Sequence, residues 1–248
     1  LLNEIFYQVN SVLQLGSSLK SEKLGYLEDL EKSMDMTLRK LSYNYFKTTC
    51  LPTFHQGWRN LEWGNLVQLF PWSLFLAARG HGKSFEWTFA FVLWRLYSYD
   101  KPNYLQKDTI DNKNRKETLL ITNESTLGVT HLAKVIEEIN NNDILREKLN
   151  PEGKELGKTG FTTKTGSSIK LRSLYSSGIR GNHCGTVIYD DLLDESALYS
   201  KEQRAKAKEI FYGSITPVVE PEGFLVGSGC VHPDTIVQTE SGLKRMKE

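Results

Sequence analysis

The 248-residue chain has three cysteines, three methionines and five histidines, and neither sign of charge dominates: 31 Lys and Arg stand against 30 Asp and Glu, a formal net charge of +1. Cys50, Cys184 and Cys230 are too few for a disulfide framework and fit a reducing compartment. His55, His183 and Cys184 are the nearest approach to a metal-ligand set, but no Cys-x-x-Cys spacing supports zinc. The balanced charge excludes a wholly basic nucleic-acid coat and leaves room for a local basic track. No stretch of about 20 residues is free of charge, so nothing reads as a membrane span. No basic segment precedes an apolar one at the start, so no signal peptide is expected. The chain opens Leu1-Leu2-Asn3-Glu4 without an initiator Met and reads as a fragment. Neither an internal repeat nor a low-complexity segment stands out.

What is present begins with Ala77-Ala78-Arg79-Gly80-His81-Gly82-Lys83-Ser84. An apolar run, 74–78, precedes it and a second, 85–96, follows, which predicts strand, tight loop and helix. Such a loop binds phosphate because its N–H groups converge, the helix N-terminus adds partial positive charge and the lysine adds a full one. Gly80, His81, Gly82, Lys83 and Ser84, with Arg79, are the candidate nucleotide-binding residues, and Ser84 would place a hydroxyl on magnesium. The full pattern has Gly five residues before Gly82, where Ala77 stands; the plain alternative is a glycine turn capping a helix.

A second motif, Thr186-Val187-Ile188-Tyr189-Asp190-Asp191, is an apolar, β-rich run ending in two carboxylates, 107 positions beyond Lys83. A buried parallel strand delivers its C-terminal residues to the crevice a phosphate loop occupies. Asp190 is the candidate metal holder, with Ser84. Asp191 is the candidate base for an attacking water, with Asp194 and Glu195 as alternatives because Asp is one methylene shorter than the Glu usual there. The plain alternative is a strand ending in a solvated acidic turn. The gap leaves room for two strand–helix units, the spacing of an ATPase with an extra strand between its motifs.

The pattern divides the chain at 1–60, 61–229 and 230–248. Residues 3–49 read as helix, with Leu24, Leu27, Leu30, Met34, Leu38 and Leu41 as a packed face. Residues 50–72 form an aromatic connector in which Phe54, Trp58, Trp63, Phe70 and Trp72 are mostly core; Gln68 is a candidate contact for adenine. Further on come a helix at 83–98, a polar loop at 100–117, a strand at 119–122 and helix over 126–149 with a break near Asn140 to Asp143. A hairpin over 161–171 turns at Gly166-Ser167, a charged helix spans 201–212 and a last buried strand covers 224–226. Strands alternating with helices predict a mostly parallel sheet with helices on both faces, preceded by a helical segment; taken with the two motifs, the fold class expected is an α/β P-loop NTPase of the RecA/ASCE-like type.

Arg79 to Ser84, Ser177-Gly178-Ile179-Arg180-Gly181, Val187 to Asp191 and Val226-Gly227-Ser228-Gly229 occur in this order. Together they resemble the ATPase half of a tailed-phage terminase large subunit, over roughly residues 40–229. The resemblance implies hydrolysis of ATP with Mg2+, driving double-stranded DNA into a procapsid through its portal. It also implies a terminase small subunit as partner, a homo-oligomeric ring and action in the host cytoplasm. Arg79 matches the arginine the family carries before its glycines, and is read as an arginine finger or as support for the loop. The segment 226–229 would couple hydrolysis to motion. Arg180 is a comparable candidate on DNA or a neighbouring subunit. Lys164, Lys170 and Arg172 are candidates for DNA phosphates, or plain surface charge. The family's nuclease domain has no counterpart in these residues. Another helicase-like ATPase and a nucleotide-binding module that does not hydrolyse stay open.

From Cys230 the pattern changes. Cys230-Val231-His232-Pro233-Asp234-Thr235-Ile236-Val237-Gln238-Thr239-Glu240-Ser241-Gly242 resembles the first block of an intein. The resemblance implies Cys230 as the nucleophile that attacks the Gly229 carbonyl. The later intein blocks are missing, so splicing is not expected. The alternative is a β-hairpin continuing the sheet, with Cys230 a small buried hydrophobe.

Overall fold

The structure is a computed structural model, and it describes residues 20–98, 116–150, 157, 159–176, 178–192, 200–230, 236–239 and 242–245. Three helices come first: α1 (Lys20–Leu41), α2 (Tyr43–Cys50) and α3 (Trp58–Leu69). Ser42 ends α1 and caps α2, its Oγ accepting the Tyr45 N–H at 3.2 Å. Strand β1 (Trp72–Ala77) runs into the glycine loop. The helix that follows, α4, is wound as a π-helix over Phe85–Phe91 and as an α-helix over Val92–Ser98. Then come β2 (Glu117–Thr122), α5 (Ser125–Asn141), α6 (Asp143–Leu149), β3 (Gly160–Thr162), β4 (Ser168–Ser173) and β5 (Cys184–Asp190). Helix α7 (Lys201–Ile210) passes through short turns into β6 (Val219–Cys230), and β7 (Ile236–Thr239) and β8 (Gly242–Arg245) close the described chain.

Six strands form one sheet in the order β1-β6-β5-β2-β4-β3. All neighbours are parallel except β3, which pairs antiparallel with β4. The fold is thus the expected mixed α/β, mostly parallel sheet. The strand between the two motif strands is β6, which follows both in sequence. β5 is buried at every residue but Tyr189, as a central parallel strand covered on both faces must be.

Side chains alternate across the sheet and feed two cores. Leu120, Ile188 and Val226 face one way, against Tyr43, Phe46, Trp87, Phe91, Leu132 and Ile139 from helices α2, α4 and α5. Leu119, Ile121, Val187 and Leu225 face the other, against Ala207, Ile215 and Val218. Among the described residues no helix is long and apolar enough to cross a membrane.

Several local expectations change. The supposed packed face of the first helix is only partly covered: Leu30 and Met34 are half-buried, Leu27, Leu38 and Leu41 are exposed, and Tyr43, Phe46 and Cys50 of α2 take the buried positions. Residues 3–19 and the side chain of Leu24 lie outside the described residues. Of the connector aromatics, Phe54 and Trp63 pack on the core, whereas Trp58, Phe70 and Trp72 are exposed. β1 is an edge strand among those described, and its side chains alternate: Phe75 and Ala77 are buried, whereas Trp72, Leu74 and Leu76 are exposed. The break in 126–149 falls at Asn142, which ends α5 and caps α6. The 161–171 hairpin forms, with Phe161 opposite Ile169 and Gly166 at a φ of 83° in the turn. The last strand is longer than 224–226, because it pairs along both β1 and β5.

Candidate functional site

The C-terminal ends of β1, β6 and β5 lie side by side. In register, Ala77 sits beside Cys230 and Phe75 beside Ser228, which in turn sits beside Asp190. Asp190 is therefore two strands from β1, about 10 Å across at about 4.8 Å per strand. Residues 78–84 leave β1 on this same edge.

Gly80 and Gly82 have φ of 80° and 75°, the left-handed region where a side chain is strained. They let the chain turn sharply before α4, whose first helical bond runs from Glu86 N–H to the Gly82 carbonyl at 2.8 Å. Lys83 is only 4% exposed. Its Nζ donates to the carbonyls of Ala77 at 2.7 Å and Ala78 at 2.9 Å, so the ammonium lies folded under its own loop. One of its three donors is left over. His81 Nδ1 lies 3.1 Å from the carbonyls of Ala78 and Arg79. Arg79 is exposed and Ser84 half-buried.

Asp190 is 1% exposed. Its Oδ1 accepts a hydrogen bond from Ser228 Oγ, and its Oδ2 lies 3.8 Å from Nε2 of His131 on α5. Burial pushes the His131 imidazole below its ordinary pKa; the Asp190 charge opposes this and that of Lys134 adds to it. Nε2 of His131 is buried and has no hydrogen-bond partner among the described residues. Asp191, at a φ of 43°, turns away from the strand. Its N–H donates to the Ser228 carbonyl at 3.0 Å; its Oδ1 accepts the Cys230 N–H at 3.0 Å, and Oδ2 is 3.5 Å from the Cys230 thiol. Asp194 and Glu195, the alternative bases, lie outside the described residues, as does Ser177. Cys230 is exposed and ends β6, and β7–β8 form a separate pair instead of continuing the sheet. The alternative of a buried cysteine on a sheet-extending hairpin is thereby corrected.

Behind the loop lies a cluster that the motifs did not announce. Lys47 and Glu86 are fully buried and paired at 2.6 Å. Lys47 also donates to the Asn60 carbonyl at 2.8 Å, Asn60 Nδ2 donates to Glu86 Oε2 at 3.0 Å, and Tyr43 OH donates to the Glu86 carbonyl at 3.0 Å. The Lys47 ammonium rests 4.4 Å from the centre of the Tyr43 ring. Burial lowers the Lys47 pKa, and the Glu86 charge opposes that shift. The cluster ties α2 and α3 to the first turn of α4. Gln68, expected near a base, is used at the junction of α1 and α2 instead. It accepts the Tyr43 N–H at 3.0 Å and donates to the Leu41 carbonyl at 2.7 Å.

Three of the other candidate cations are engaged by protein groups. Arg180 Nε donates to Ser214 Oγ at 3.0 Å, Lys170 pairs with Glu117 at 2.6 Å and Arg172 donates to the Leu171 carbonyl at 2.8 Å; Lys164 is exposed. The His183–Cys184 pair engages carboxylates: His183 Nδ1 lies 3.3 Å from Glu220, and the Cys184 thiol donates to Glu117 at 3.4 Å. Burial pushes that thiol's pKa up. Among the described residues no three His, Cys, Asp or Glu gather into a metal cluster.

No protein-family model matches the chain, and no curated protein does. Among solved structures, that of the HK97 bacteriophage large terminase is similar in fold, with a TM-score of 0.48 and 12% sequence identity. The likeness covers 71% of this chain and 33% of that one, so the chain spans about a third of that protein's length.

Proposed function

We propose that the chain carries a magnesium-dependent ATPase unit over residues 61–229, joined to a helical segment over 1–60. The observation that carries this reading is the juxtaposition at one sheet edge of a glycine loop with a buried lysine and a strand ending in a buried aspartate. Lys83 and the loop amides of Gly80 to Ser84 hold the β- and γ-phosphates, and Arg79 stands at the exposed mouth of the loop. Ser84 and Asp190 hold Mg2+. The donor set suits that ion: a hydroxyl and a carboxylate, both oxygen, with the carboxylate steadied by Ser228. When bound, the metal neutralises charge building on the transferring phosphoryl group. Lys83 gives up the carbonyls of Ala77 and Ala78 to reach phosphate. Asp191 or Glu195 aligns the attacking water and takes its proton; for Asp191 this requires release from Cys230.

The finer reading is the motor of a phage terminase, acting on double-stranded DNA with portal, procapsid and small subunit as partners, in the host cytoplasm. It rests on the order of the motifs at 79–84, 177–181, 187–191 and 226–229. Residues 230–248 are read as the start of an intein. There Cys230 Sγ would attack the Gly229 carbonyl carbon as the Gly229–Cys230 C–N bond breaks. A thioester forms and the thiol proton passes to the freed amine. The exposure of Cys230 supports this role.

Steady-state ATP hydrolysis tests the reading. Wild type turns over, Lys83→Ala falls by at least about 100-fold, and Asp191→Asn separates a hydrolase from a sensor: it retains nucleotide binding and loses turnover. Equal rates in all three would overturn the assignment.

A further inference from the structure

Among the described residues, the buried carboxylate of Asp190 faces two side chains, and only one is engaged. Ser228 donates to Oδ1. His131 Nε2 lies 3.8 Å from Oδ2, beyond the roughly 3.2 Å limit of an N–H···O bond. That nitrogen is buried and has no hydrogen-bond partner among the described residues. A buried polar nitrogen left unpaired is costly and calls for an explanation. The backbone fixes the arrangement: Thr122 ends β2 directly beside Asp190, and α5 starts three residues later and brings His131 back over the strand ends. Gly128, one turn earlier on α5, permits this, since a Cβ there would lie 2.2 Å from Leu171 Cδ1 and 2.9 Å from Thr122 Oγ1.

We propose that His131 is a positioning residue for Asp190, its Nε2–H closing onto Oδ2 when the carboxylate takes up the nucleotide's metal. The acid is then gripped at both oxygens, by Ser228 and His131, and each oxygen keeps a lone pair for the metal. Partners of this kind, outside the ligand set, set the orientation and basicity of the ligand they touch. The inference rests on the assignment of Asp190 as metal holder.

The test is Mn2+ binding in the presence of ADP, read by electron paramagnetic resonance, for wild type, His131→Leu and His131→Gln. ADP affinity in chelator and the melting temperature without ligand serve as controls. His131→Leu keeps comparable volume without a donor and weakens Mn2+ about tenfold, with both controls unchanged. His131→Gln restores a donor and most of the affinity. Wild-type Mn2+ affinity in both variants overturns the proposal, as does equal weakening in both, since then the ring's shape and not its donor matters. Should wild type bind ADP but no Mn2+ through Asp190, judged by an unaltered Asp190→Asn, the metal assignment itself fails and the inference falls with it. Should wild type bind neither, the ATPase reading fails first.

Discussion

Two buried acids flank the glycine loop, and they are treated differently. Glu86, on the first turn of α4, is saturated: Lys47, Asn60 and Tyr43 all meet it, and the pair is closed to water on every side. Among the described residues Asp190, at the end of β5, has one donor, Ser228, and faces an imidazole nitrogen without a hydrogen-bond partner. A saturated network has no capacity for a ligand and specifies how elements pack. An unsaturated one keeps capacity in reserve. The first cluster is therefore assigned to architecture, holding α2 and α3 against the helix that leaves the loop, and the second belongs to the metal site proposed above.

Breaking the saturated cluster has the largest effect on stability. Lys47→Met strands a buried carboxylate and costs about 3–5 kcal/mol; Lys47→Met with Glu86→Leu recovers most of that. Chemical denaturation of the single and double variants checks both values. If Lys47→Met leaves stability unchanged, the cluster is not architectural. Asp190→Asn is the counterpart on the functional side. It lowers the hydrolysis rate by about 100- to 1000-fold while shifting the melting temperature little. A comparable loss of stability there would erase the distinction between the two acids. Gly227→Ala bears on β6, the strand beside that of Asp190: a Cβ at 227 would lie 2.1 Å from Cζ of Tyr189, so the overpacking costs about 1–3 kcal/mol. Pairing it with Tyr189→Ala relieves the clash, and failure of that relief in a double-mutant cycle would locate the strain elsewhere.

The same contrast explains what could be read in the chain beforehand. The loop at 79–84 and the strand ending at Asp190 are legible because local pattern encodes them: glycines where φ is positive, and a β-branched run where a strand is covered on both faces. The parallel sheet follows from strands alternating with helices. The Lys47–Glu86 pair is invisible to such reading. Its members are 39 residues apart on helices whose packing no local signal gives. His131 was missed for the same reason, since a single histidine on a helix gains meaning only from the strand end it overhangs. Trp72, Leu74 and Leu76 show the converse: an apolar run predicts the strand at β1, but not that alternate side chains along it stay exposed. Gln68 looked free to meet a base, and instead bridges two helices through backbone groups.

The most direct measurement is a crystal structure with ADP and Mg2+ bound. The account predicts phosphate cradled by residues 80–84, with Lys83 Nζ swung off the carbonyls of Ala77 and Ala78 onto a phosphate oxygen. Nucleotide bound elsewhere, or phosphate at the loop with Lys83 still on those two carbonyls, would contradict it.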